Sequence, residues 1–117
     1  MNYINKRIAA FKYAIRGIYL MFRHEAHALI HLIAGIGVIV AGLLFRLDAI
    51  EWCIISLCIG GVFMAEAFNT AIEKLADKIS PEQDPLIGAA KDISAGAVLL
   101  FAIATVVVAC IIFIPKF

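Results

Sequence analysis

Residues 93–114 are twenty-two in a row without a charged side chain. At helical rise such a run is about 33 Å long, which matches a hydrocarbon core of about 30 Å. Two further runs have the same character. Residues 28–45 are apolar except for His31, and residues 50–65 are uncharged beyond Glu51 and Trp52. An indole ring at such a position favours the membrane–water interface. Between these two runs, Arg46, Leu47 and Asp48 form a short polar turn. The chain of 117 residues is 64% hydrophobic and 16% charged, whereas a soluble domain is about 45–50% apolar and 25% charged. A water-soluble globule is excluded. The pattern predicts one all-α integral membrane domain over residues 1–117 that crosses the bilayer three times.

The second run does not end where its charges return. Apolar, helix-compatible spacing continues past Glu66 to about residue 79, where Pro81 stops it. A helix over residues 50–79 is about 45 Å long and projects beyond the hydrocarbon. Residues 80–85 read as a turn, two prolines bracketing two acids. The third span is expected over 93–114, with Asp92 as its N-cap or first-turn acid.

Before the first span, residues 4–23 carry Ile4, Ile8, Phe11, Ile15, Ile18 and Phe22 at alternating spacings of four and three. That spacing puts all six on one helical face. Lys6, Arg7, Lys12, Arg16 and Arg23 lie between them, and no acid precedes Glu25. This describes an amphipathic helix on an anionic membrane surface, able to serve as anchor or lateral gate. Of the ten basic residues, eight fall before span one or between spans two and three, and two, Arg46 and Lys116, on the other side. The positive-inside bias directs the N-terminus and the 66–92 region to the cytoplasm. The net charge of +1 carries no signal for nucleic acid. Cys53, Cys58 and Cys110 lack metal or redox spacing and read as small hydrophobes.

Chemistry concentrates on the cytoplasmic half. Cys53 to Ala65 is uncharged, and then Glu66, Asn69, Glu73 and Asp77 arrive at offsets of 3, 7 and 11. These offsets keep the four within roughly 80° on one helix face. An acid at the centre of a bilayer costs on the order of 2.5–3.5 kcal/mol, so intramembrane carboxylates tend to have partners and functions. Glu25, Glu82, Asp84, Lys91 and Asp92 lie on the same side. Carboxylates suit a hard cation such as Mg²⁺, and a lysine suits phosphate. No phosphate-binding glycine loop is present. His27 and His31 have zinc-protease spacing, but Ala28 stands where the catalytic glutamate belongs, so that reading is rejected. His24, His27 and His31 share a helical face and read as packing or hydrogen-bonding residues, with a metal or proton-relay role as the alternative.

The stretch EAFNTAIEKLAD at residues 66–77 resembles the signature of the prokaryotic diacylglycerol kinase family. The likeness extends to the basic helix with Tyr13 and Gly17, to HEA around Glu25 and to AAKD at residues 89–92. Segments IEW, IGG and IFIPK look most like the Gram-positive branch, whose members act as undecaprenol kinases. Phe68 and Ala76 depart from the family's commoner aliphatic residues and carry no chemistry. The resemblance implies a bacterial plasma-membrane lipid kinase, homotrimeric, with sites shared between subunits at the cytoplasmic face. It implies that Glu66 is the general base and Asn69 its support. Glu25 and Glu73 match carboxylates holding divalent metal, Mg²⁺, on the phosphates of ATP. Lys91 and Asp92 match nucleotide contacts, and Tyr13, Glu82 and Asp84 do so less securely. Phosphoryl transfer needs positioning and charge neutralisation more than covalent chemistry, which such a set supplies. The alternatives are diacylglycerol as acceptor, or a non-enzymatic oligomeric channel or carrier. Against a channel, no acid continues the stripe along spans one and three.

Overall fold

The computed structural model describes residues 2–117. Helix α1 runs Tyr3–His24, α2 Ala26–Leu44, α3 Ala49–Ile79 and α4 Pro85–Phe113, with a closing 3₁₀ turn at Ile114–Lys116. No strand occurs among the described residues. The helices α2, α3 and α4 are each long and apolar enough to cross a membrane.

Each boundary has a local cause. The Asn2 side chain accepts a hydrogen bond from Asn5 N at 2.8 Å and starts α1. A single extended residue, Glu25, separates α1 from α2, and its N–H still bonds Met21 O at 3.0 Å. The α2–α3 turn places Arg46 at φ 57°, in the left-handed region. Asp48 Oδ1 then accepts from Glu51 N at 2.8 Å while Glu51 Oε1 accepts from Asp48 N at 3.0 Å, a reciprocal cap that opens α3. Gly42 is required beside this turn, because a Cβ there would come within 2.6 Å of the Trp52 ring.

The fourth helix corrects one expectation. It begins at Pro85, well before residue 93, so the turn after α3 is shorter and Asp92 lies inside the helix, as neither N-cap nor first-turn acid. Asp84 is the N-cap, its Oδ1 accepting from Leu86 N (2.9 Å) and Ile87 N (3.1 Å). Proline at the first helical position sacrifices no hydrogen bond, so Asp84-Pro85 is a start signal here.

Helix α3 packs along α4 for most of its length, while α1 and α2 run beside α3 and each other over shorter stretches. Gly61 makes room for α4 on α3, since the Phe101 ring lies where a Cβ would stand. The small core, Leu47, Ile55 and Ile112 with Trp52, Val38 and Ile59 against it, sits toward the α2–α3 turn. With extents of 50 × 44 × 20 Å, the chain is about two helices thick and can bury little. The stripe Ile4, Ile8, Phe11, Ile15 and Ile18 on α1 is 51–71% exposed. An exposed apolar surface this extensive marks a membrane or protein contact.

Candidate active site

The polar stripe of α3 is graded by burial along its length. Glu66 is 1% exposed and Asn69 6%, Glu73 is half-buried and Asp77 is exposed. Glu66 is one of the two most completely buried large side chains of the described residues. Burying a carboxylate is costly unless it is paired, so what faces it matters. His31 Nε2, from α2, stands 3.0 Å from Glu66 Oε1. That is ion-pair distance, yet neither Glu66 oxygen makes an aligned hydrogen bond with any described residue. The titratable groups around it are His31, Glu25, His27 and Glu73. Glu66 lines a groove of about 260 Å³ together with His27, His31 and Asn69, and with Ala95 and Val98 of α4.

One turn further, Asn69 bridges helices. Its Nδ2 lies 3.4 Å from Glu73 Oε1 and its Oδ1 2.6 Å from Ser94 Oγ of α4. Ser94 Oγ is also 3.0 Å from Lys91 O. One hydroxyl proton serves one acceptor at a time, and the shorter contact holds Asn69 with its amide nitrogen toward Glu73. Glu25, at the α1–α2 break, occupies an N-cap position but makes no side-chain cap bond. Its carboxylate instead meets His27 Nδ1 at 3.3 Å. Two carboxylates free of helix capping, Glu25 and Glu73, thus flank Glu66. Among the described residues no three acid, histidine or cysteine side chains converge as a metal cage. Two hard oxygen donors fit a cation that takes its remaining ligands from phosphate and water, as Mg²⁺ does.

The other predicted residues gather at the α3–α4 elbow. A cavity of about 510 Å³ there is lined by Asp77, Glu82, Asp84, Lys91 and Asp92. Lys91 Nζ bonds Asp77 Oδ1 at 2.8 Å, so the one lysine of this cavity already has an acid partner. Tyr13 joins neither cluster: it is 72% exposed on α1 and lines neither cavity. A separate cleft of about 350 Å³ between α1 and α3 is walled by Gly17, Ile18, Met21 and Ala67, with Thr70 and Lys74 its polar members. Sequence reasoning missed one site residue, Ser94, and read His31 as a packing or hydrogen-bonding residue with a metal or proton-relay role as the alternative. The signal for His31 was present, as the lone polar side chain in an apolar run. Ser94 has no such signal, since serine is unremarked in a helix of small residues.

A family model described as prokaryotic diacylglycerol kinase matches residues 12–113. An undecaprenol kinase of Bacillus subtilis (strain 168) is 43% identical over 115 residues, covering 98% of this chain and 94% of that protein. A diacylglycerol kinase of Synechocystis sp. is 36% identical over 109 residues, covering 92% of this chain and 62% of that protein. The Escherichia coli (strain K12) diacylglycerol kinase is 30% identical over 105 residues, 90% and 86% of the two chains.

Proposed function

The chain belongs to the prokaryotic diacylglycerol kinase family and is an ATP-dependent membrane lipid kinase, and we propose that its acceptor is undecaprenol. In this reading Glu66 is the general base that takes the proton of the lipid hydroxyl as its oxygen attacks the γ-phosphorus. Asn69 fixes the helix face around it. Glu25 and Glu73 hold Mg²⁺, which when bound neutralises charge on the nucleotide phosphates. Lys91, Asp92, Glu82 and Asp84 contact the nucleotide at the elbow, with Tyr13 an outlying contact.

The observation that carries the reading is Glu66 itself. A carboxylate 1% exposed, with no aligned hydrogen bond, in a residue that lines a groove between helices, is poorly explained as a structural residue. A lipid hydroxyl is the kind of partner such a group lacks. The cleft between α1 and α3 offers the acceptor an apolar approach. We place the site at the cytoplasmic face of a bacterial plasma membrane, from the basic-residue bias. Helix α1 then lies on that surface, its apolar stripe in the lipid boundary. The thin, mostly unburied chain favours a homo-oligomer, a trimer with sites shared between subunits.

Labelled ATP with a panel of lipid alcohols in mixed micelles, products separated by chromatography, tests the acceptor. A polyprenol is expected to be phosphorylated with higher kcat/KM than diacylglycerol. The reverse preference would overturn the acceptor and leave the kinase assignment standing.

A further inference from the structure

We infer that His31 is a positioning residue: its imidazole aims the Glu66 carboxylate at the lipid hydroxyl. The inference rests on Glu66 acting as the base. A general base must come within about 2.6–3.2 Å of the proton it abstracts, with a lone pair directed along that line. The nearest fixed group to Glu66 is His31 Nε2, 3.0 Å from Oε1. The remaining titratable neighbours cannot do the same work. Glu25 and Glu73 repel a carboxylate, and His27 is 72% exposed and faces Glu25. Among the described residues no other side chain stands at ion-pair or hydrogen-bond distance from the carboxylate, so His31 is its one near partner.

His31 is itself held in place. It lines the groove shared with Glu66 and Asn69. It also lines a small cavity of about 70 Å³ walled mostly by apolar residues, Gly35, Val38 and Ile55 among them. The side chain is 25% exposed. An imidazole placed within an otherwise apolar span costs free energy unless it finds a polar partner, and Glu66 is that partner. Because His31 is on α2 and Glu66 on α3, the contact also fixes the base relative to a second helix. In the step itself the hydroxyl proton passes to Glu66, the lipid oxygen bonds the γ-phosphorus, and the bond from that phosphorus to the ADP oxygen breaks. His31 contributes direction, and the proton count closes without it.

The test uses the full chain in lipid–detergent micelles, with His31→Leu, His31→Gln and His31→Asn made in the parent and in Glu66→Gln. His31→Leu should lower kcat on the order of 10²-fold, the usual cost of a misplaced reacting group. KM for ATP and metal-dependent binding of a nucleotide analogue should not move. His31→Gln, whose amide reaches as far as Nε2, should recover most of kcat, and the shorter His31→Asn should not. In Glu66→Gln, replacing His31 should cost nothing more, because a residue acting through another is not additive with it. Should the leucine variant fail to assemble, the Gln/Asn pair carries the same comparison. Unchanged kcat in the leucine or asparagine variant, with Glu66→Gln inactive, overturns the role of His31 alone. Equal losses of kcat in the Gln and Asn variants, tracking equal losses of melting temperature, reduce it to a helix pin and overturn it too. Wild-type turnover in Glu66→Gln overturns instead the base on which the inference rests.

Discussion

At the α2–α3 turn the chain closes its own polar groups, whereas the other half of α3 closes Asn69 and Asp77 but leaves Glu66 open. Asp48 and Glu51 cap one another, and Lys116 Nζ reaches Glu51 Oε2 at 3.1 Å, tying the chain's end to the start of α3. Phe45 packs edge-on against Phe113 and Phe117, with ring centroids 6.1 and 4.9 Å away. Toward the α3–α4 elbow, Glu66 is buried without an aligned donor and Glu25 occupies a cap position without capping. The contrast separates two uses of a carboxylate. One completes a helix end and stabilises it; the other is kept available at a cost in stability, which marks it for chemistry.

Substitutions at the two ends should therefore fail in different ways. Glu66→Gln should have the largest effect, lowering turnover by about 10²–10⁴-fold, the usual contribution of a positioned base. The chain should remain assembled and bind a nucleotide analogue in the presence of Mg²⁺, because the amide is easier to bury than the carboxylate. Glu73→Gln should instead weaken binding of that analogue, with excess Mg²⁺ restoring part of the activity. Titrating the analogue against both variants, with and without Mg²⁺, checks the pair. If Glu66→Gln loses nucleotide binding and Glu73→Gln keeps it, base and ligand are exchanged.

The closed end should register in stability alone. Asp48→Ala removes a reciprocal cap and should cost about 1 kcal/mol, read as a lower unfolding midpoint in detergent with kcat unaltered. Lys116→Ala should cost at most about 1 kcal/mol, since its pair with Glu51 is only partly buried. A large loss of kcat in either variant, at temperatures where the protein stays folded, would break the division between the ends.

The helices were legible because charge and hydropathy change abruptly at their ends. The acid stripe was legible for the same reason: Glu66, Asn69, Glu73 and Asp77 interrupt a run with nothing else ionic in it. The start of α4 was not. Asp84-Pro85 can close a turn or open a helix, and only the bonds from Leu86 N and Ile87 N to Asp84 decide between them. The partner of Glu66 was also out of reach, because periodicity orders residues on one helix and says nothing of which neighbour meets them. His31 and Ser94 come to the α3 stripe from two other helices. Tyr13 illustrates the reverse limit: a residue matched by motif stands apart from both cavities in the single chain.

Helix α3 has 31 residues, about 46 Å from end to end. Measured from Ala49, Glu66 lies about 26 Å along its axis and Asp77 about 42 Å, either side of where a hydrocarbon core of about 30 Å would end. One rigid rod thus works as a ruler laid across a phase boundary, with the proposed base on the oily side of the mark and the elbow on the wet side. Two reactants that share no common solvent can then be brought into register along a single axis. A long-chain alcohol need surrender only its terminal oxygen to the boundary, and a nucleotide need dip only its terminal phosphate.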